Sequence, residues 1–319
     1  EGGDGVNWTL RLQPGSSSGL VHEATVSFPV SEGNRVLGGL IPDYQGYEYV
    51  WAHQNPLLTH NALFDYAGPT AYAGIGMTHA LTSSLAAKWM IGNIDGASDD
   101  TGVQSGVDNL GLPSNTRRSV GLAYRFDLTL SEYAYAGFAA ALGSAYRNFG
   151  IYEFDGGYVR GDLTLNGQVT IGTMNQAAYN GELAEWTGLS GLVGYKVAPR
   201  LQLLARADYI ENQKNGGGTY VANYFNAGAF DPNGTAPMSG TGLGPRLDEL
   251  GTVVVDDSGN PIGANLARLS LGTNYQINAS TQWKTEIRYD QSTGFNFVNE
   301  SGTPTNNKTT FGTSVVVFF

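Results

Sequence analysis

Strict alternation is the feature that most limits what this chain can fold into. Between 264 and 277, Ala267, Leu269, Leu271, Thr273, Tyr275 and Ile277 share one parity, with Arg268, Ser270, Gly272, Asn274 and Gln276 on the other. After an Asn278-Ala279-Ser280 link the pattern resumes: Trp283, Thr285, Ile287 and Tyr289 against Lys284, Glu286, Arg288 and Asp290. Successive side chains of a strand point to opposite faces, so this spacing gives one apolar face and one charged face. A helix would scatter the four charges around its circumference. The pattern recurs with Val120, Leu122, Tyr124, Phe126 and Leu128 around Arg125 and Asp127, and with Leu201, Leu203, Ala205, Ala207 and Tyr209 around Arg206 and Asp208. Leu85, Ala87, Trp89 and Ile91 oppose Lys88 in the same way.

The spacing predicts strands near 7–13, 20–30, 34–42, 69–80, 84–93, 117–129, 132–146, 151–165, 168–177, 185–197, 200–211, 264–277, 281–290 and 308–319, about 14 in all. Many exceed the usual 5–6 residues and reach the 9–11 that a tilted bilayer crossing needs. Short links fall at 31–33, 81–83, 130–131, 166–167, 198–199 and 278–280, and Asn166-Gly167 is a strong two-residue hairpin signal. Long connections fall at 43–68, 94–116, 178–184, 212–263 and 291–307, with 14–19 and 147–150 as shorter members of that set. A soluble β-sandwich also alternates, but it has no reason to sort short turns to one end and long loops to the other. An outer-membrane barrel does. The fold expected is therefore all-β: one domain over 1–319, a transmembrane antiparallel up-and-down β-barrel, with long extracellular loops near 43–68, 94–116, 212–263 and 291–307 and periplasmic termini.

Composition agrees. Charged residues make up only 14% of the 319, and 45 are Gly and 18 Tyr, against about a quarter charged and roughly 7% Gly in ordinary soluble domains. The 41% apolar share with many aromatics argues against disorder. The absence of Cys excludes disulfides, thiolate metal sites and a Cys nucleophile, and the net charge of −11 argues against nucleic acid. No apolar run of about 18 residues exists, so no transmembrane helix is expected, which leaves barrels untouched. The start, Glu-Gly-Gly-Asp, shows no signal-peptide pattern and reads as mature or trimmed.

The last strand places Phe311, Thr313, Val315, Val317 and Phe319 on one face and ends on an aromatic. Such an ending is typical of outer-membrane barrels and looks like the signal read by the barrel-assembly machinery. At 40–78, a strand is followed by a Gly-Glu element, an Asn-containing loop, an aromatic segment and a strand-opening Pro, carried by Gly46, Glu48, Asn55, Phe64 and Pro69. This resembles the proteobacterial β-barrel porin family of the porin-2, OmpL-like type. The segments AEWTGLSGLVGYKV, RLQLLARADYIEN and LGTNYQINASTQWKTEIRYDQS resemble it too, so the likeness covers most of 35–319. It implies an outer-membrane channel. Family members carry further strands before the equivalent of 7–13, so this is either a shorter relative or a chain lacking two strands, the latter giving a barrel of about 16.

With the apolar parity toward lipid, Arg125, Asp127, Arg206, Asp208, Arg268, Lys284, Glu286, Arg288 and Asp290 face the lumen, since Lys or Arg in lipid costs about 2–4 kcal/mol. Arg160 and Asp162 are expected to join them, with Val159, Gly161, Leu163 and Leu165 facing lipid. These charges either select solutes or brace the wall by pairing. Most acids fall in the long loops, which gives a negative outer mouth. The 212–263 segment is long and Gly/Pro-rich. It either folds inward as the constriction, lined by Tyr220, Tyr224, Phe225 and Phe230, or projects outward.

No catalytic motif is found. His53 and His60 share a loop with Glu48 and Asp65, a weak metal pattern, and Asp256-Asp257-Ser258-Gly259-Asn260 reads as a turn, so no metal or other cofactor is called for. The reading is an outer-membrane porin for passive diffusion of small hydrophilic solutes or ions. The alternatives are a plugged or partner-sheathing barrel and, third, a surface-loop enzyme. Outer-membrane lipid or lipopolysaccharide, the assembly machinery and a homo-oligomer are the partners implied.

Overall fold

The computed structural model describes residues 5–12, 21–94, 120–145, 147–222 and 240–318. Fourteen strands form one sheet in which chain neighbours pair antiparallel throughout. They are β1 Asn7–Leu12, β2 Val21–Ser31, β3 Asn34–Pro42, β4 Ala71–Ala80, β5 Leu85–Asn93, β6 Val120–Thr129 and β7 Ala134–Ala145. Then come β8 Arg147–Arg160, β9 Leu163–Met174, β10 Ala184–Ala198, β11 Leu201–Glu211, β12 Leu266–Asn278, β13 Thr281–Ser292 and β14 Asn307–Val317. β1 pairs only with β2 and β14 only with β13, so among the described residues no ladder joins the first strand to the last. Among the described residues no helix is long and apolar enough to cross a membrane. This is the up-and-down barrel that the alternation predicts.

The alternation becomes an inside and an outside. Leu269, Leu271, Ile287, Phe311, Val315 and Val317 are exposed on the outer wall, while Arg268, Ser270, Lys284 and Glu286 are buried within. Across β6–β8 on the outer face, Tyr124 meets Phe126 and Phe138 edge-on and Phe138 meets Phe154 at a tilt. Phe319 lies outside the described residues.

Two boundaries differ from expectation. The Asn166-Gly167 pair is not a turn. It sits inside β9, opposite Gly157 and Gly156. The hairpin turns instead at Gly161, whose φ of +59° suits a tight turn. A turn signal yields here because β9 is also registered against β10 over twelve residue pairs, so the neighbouring ladder fixes where the strand starts. At 147–150 the expected loop is absent, and β7 and β8 continue as paired strand up to Ala145 and Arg147.

The connection between β3 and β4 turns inward. It holds a short turn of helix at Ala52–Gln54 and helix α1, Ala62–Tyr66. Asn61 caps α1 by accepting from the Phe64 amide at 2.7 Å. Wall glycines make room for this segment. A Cβ at Gly188 would lie 2.9 Å from the Leu63 side chain, and one at Gly272 would lie 2.4 Å from that of Leu57. Leu57, Leu192 and Leu204 form one small buried cluster. A larger apolar layer lies toward the long-loop end and includes Leu63, Trp186, Leu243, Leu266 and Phe297.

Candidate functional site

Irregular backbone at membrane depth is tolerated only when protein or water satisfies its polar groups. The inward segment 43–68 meets this requirement with the charged inner wall. Glu286 of β13 accepts from the Leu58 and Thr59 amides at 2.7 and 2.8 Å and from the Thr59 hydroxyl at 2.7 Å. Lys284 donates to the His53 and Asn55 carbonyls. Arg206 of β11 donates to Glu48 at 2.8 Å, to the Thr59 carbonyl at 2.8 Å and to the His60 carbonyl at 2.7 Å. Asp208 accepts from the Ala62 amide, at the start of α1, and from the Ser190 hydroxyl. Arg268 of β12 holds Asp65 at 2.7 Å and Asp290 at 2.7 Å.

On the opposite side of the interior, Arg125 of β6 forks onto Asp155 at 2.6 and 2.9 Å. It reaches Asp127 at 2.6 Å through Nε and donates to the Tyr44 carbonyl. Arg288 pairs with Asp290 at 3.1 Å. The Tyr44 hydroxyl donates to the Ala123 carbonyl, Tyr47 bonds Ser190 at 2.7 Å, and Asn61 donates to Gln168. The segment that leaves β3 is thus tied to β6, β9, β10, β11, β12 and β13, and it crosses the interior.

Burial pushes the Glu48 carboxyl up to about 7, against the pull of Arg206 and the Asn61 amide. Burial likewise raises Asp43 to about 7 despite its bonds from Tyr72 and the Gln45 amide. His60 is lowered by burial. Its ring stacks on Phe64 at 4.0 Å, and its Nε2 meets the Tyr49 carbonyl. Glu48 pairs with Arg206 and Asp65 with Arg268.

The structure places nine of the sequence-derived lumen residues on the inner face or its ion pairs: Arg125, Asp127, Arg206, Asp208, Arg268, Lys284, Glu286, Arg288 and Asp290. Arg160 and Asp162 are corrected. Buried Glu153 and Asp155 fix the inner parity of β8, and Arg160 has the opposite parity. It lies at the β8–β9 turn with its guanidinium 5.0 Å from the Tyr133 ring, and Asp162 sits in that turn. The displaced turn at 161–162 is the cause. Glu153, Asp155 and Gln168 were missed for the same reason, although their own alternation with Tyr152, Phe154 and Val169 carried the signal.

Among the described residues, the segment that crosses the charged lumen is 43–68. Tyr220 is buried against Phe149, with ring centroids 5.1 Å apart. Tyr224, Phe225 and Phe230 lie outside the described residues. The described parts of 212–263 pack over the inward segment at the long-loop end, where the Val221 amide donates to the Tyr66 carbonyl at 3.3 Å. Short ladders at Gly244–Pro245 and Gly263–Ala264 hold that part together.

Between the inward segment and β1, β2, β5, β6 and β7 lies a recess of about 530 Å³. Lys88 reaches it from β5, together with Tyr44, Tyr47, Tyr49, Trp51 and Tyr135.

Comparison with solved structures finds outer-membrane proteins of the same fold. An anion-selective porin from Comamonas acidovorans superposes with a TM-score of 0.57 at 10% identity, covering 96% of this chain and 80% of that one. Outer-membrane expressed OmpT of Vibrio cholerae gives 0.54 at 12% identity, covering 94% and 81%. The trimer form of in-vitro folded OmpT gives 0.55 at 11%, covering 93% and 81%. At such identity the likeness shows the fold. No curated protein sequence matches the chain. A family model does match, over residues 4–319, and its description is "Putative beta-barrel porin-2, OmpL-like". With an interior wall of paired charge, an inward segment braced on it and that match along nearly the whole chain, the protein belongs to the β-barrel porin-2, OmpL-like family.

Proposed function

We propose that the barrel passes small hydrophilic solutes or ions by passive diffusion across the outer membrane, with its long loops outside the cell and its termini in the periplasm. The observation that carries this reading is the inward segment. The buried wall charges hold 43–68 across the lumen, and a polar recess of about 530 Å³ stays open beside it. A fixed narrowing next to open polar space sorts solutes by size and charge without a cofactor or a catalytic group. Lipopolysaccharide and the barrel-assembly machinery are the partners this reading calls for, and a homo-oligomer is compatible with it.

A second reading is favoured by one observation. The long-loop end is filled by Leu63, Trp186, Leu243, Leu266 and Phe297, all buried together. A barrel stoppered there is a scaffold or a gated channel. Planar-bilayer recording separates the two. Stepwise current from the intact protein supports the porin, and its reversal potential in a salt gradient gives the ion preference. A silent intact protein that conducts once 212–263 is deleted supports the stopper. Silence from both forms overturns the porin.

A further inference from the structure

The recess beside the inward segment holds acids and bases that are nearly all committed to one another. Arg125 is shared by Asp155 and Asp127. Arg11 pairs with Glu23 at 3.3 Å. Glu48 is taken by Arg206 and the Asn61 amide. Asp43 accepts from Tyr72 and the Gln45 amide.

Lys88 is the exception. It lies on the inner parity of β5 with Met90, which is buried, while Ile91 faces outward. Among the described residues its ammonium makes no ion pair and no hydrogen bond. Its Nζ lies over the face of Tyr44, 4.7 Å from the ring centroid, and the carboxylates that act on it through space, Asp127 and Asp43, are held by Arg125 and by Tyr72. An ammonium carries three donors and no acceptor, so an aromatic face satisfies its charge in part and its hydrogen bonds not at all. A carboxylate would do both, through a charge-assisted bond.

The rest of the wall describes the other half of a ligand. Tyr47, Tyr49, Trp51 and Tyr135 line the same recess. Aromatic walls receive a flat apolar ring in offset or edge-on contact. The volume of about 530 Å³ is within the roughly 300–1,000 Å³ range of small-molecule sites. Arg11 and His22 already pack on Trp51, and an inorganic anion would use Lys88 and leave the tyrosine rings without a partner. A neutral aromatic would use the rings and leave the ammonium without an acceptor. An aromatic cation would bring a second positive charge to Lys88.

We propose that this recess is a binding subsite for small aromatic carboxylates, with the carboxylate on Lys88 and the ring among Tyr47, Tyr49, Trp51 and Tyr135. The proposal deepens the porin reading, and rests on it only for the claim that the ligand is in transit.

Calorimetric titration of the folded, detergent-solubilised protein tests the subsite without any current. The probes are benzoate, benzyl alcohol and acetate at one ionic strength. Benzoate is expected to bind more tightly than either of the others. Lys88→Gln is expected to weaken benzoate by about tenfold or more, the scale of one charged hydrogen bond. Lys88→Arg is expected to retain most of the binding, and Lys214→Gln, at a distant rim ion pair, to change nothing. Equal binding of benzoate and acetate by the unmodified protein overturns the proposal, even if no variant folds. So does a Lys88→Gln protein that binds benzoate as the unmodified protein does. Bilayer recording then separates the two readings. Lysine-dependent benzoate binding in a protein that carries no current keeps the subsite and sinks the porin. Current without lysine-dependent binding does the reverse.

Discussion

Arg206 on β11 and Glu48 on the segment after β3 meet inside the barrel, the guanidinium donating to the carboxylate at 2.8 Å with both side chains almost wholly buried. The same arginine holds the Thr59 and His60 carbonyls. One wall residue thus anchors both the beginning and the middle of the inward segment.

Truncating one member of this pair strands the other. Arg206→Ala is expected to destabilise the folded barrel by about 3–5 kcal/mol, the usual cost of an uncompensated buried charge. Replacing both with neutral residues of similar size, Arg206→Met with Glu48→Gln, is expected to cost less than the single change. Denaturant midpoints of the unmodified protein, Arg206→Met, Glu48→Gln and the double variant check this. Additive losses would mean that the pair is not coupled.

The seating of the inward segment depends on glycine. A Cβ at Gly188 would come within 2.9 Å of the Leu63 side chain, whose atoms are the three nearest to it. Gly188→Val is therefore expected to dislodge the segment at Leu63 while leaving the strand ladder intact. The measurement is limited proteolysis within 43–68 in detergent. Faster cleavage with unchanged strand content by circular dichroism is the expected result.

Stability should fall as pH rises through the acid range. Glu48 and Asp43 sit at about 7 in the folded protein, against ordinary values of 4.5 and 3.8. Between the ordinary and raised values the folded chain binds more protons than the unfolded chain, so each upward step in pH favours unfolding. The penalty is complete above about 7 and absent below the ordinary values. A higher denaturant midpoint at pH 5 than at pH 8 is expected from these two groups. Glu48→Gln should flatten part of that slope, and an unchanged slope in that variant would count against the assignment.

Glu286 gathers three donors from Leu58 and Thr59. Glu286→Gln keeps the shape but loses the charge and part of the acceptor capacity. Net loss of about 1–3 kcal/mol follows if one or two charge-assisted bonds weaken. Single-channel recordings should show larger open-channel noise, because the narrowing is less firmly held. Quiet recordings matching the unmodified protein would argue that Glu286 is redundant.

Charge on the outer face is costly at mid-depth. Leu271 is half exposed on the outer wall, and Leu271→Arg is expected to cost about 2–4 kcal/mol at mid-depth. Refolding yield into lipid vesicles, compared with Leu271→Ile, reads the difference.

Much of the architecture was legible in the residues. Arg268 between Ala267 and Leu269, and the charges from Lys284 to Asp290 interleaved with Trp283 to Tyr289, give inside and outside by counting alone. The exception is informative. Asn166-Gly167 carried a stronger local turn signal than Gly161-Asp162, and it lost to the ladder between β9 and β10. That single displacement reversed the parity assigned to Arg160 and hid Glu153 and Asp155.

Period-2 alternation and the sorting of long and short connections determined the barrel, its strand number and the charged lumen, because side-chain parity and turn spacing are local properties of the chain. The tertiary structure decided which loop turns inward and what the charges hold. Glu48 meets Arg206 across 158 residues, and the Leu58 amide meets Glu286 across 228. No local pattern encodes such pairs. They form because buried backbone amides and carbonyls in the lumen need partners, and the curved wall brings distant charges within reach of them.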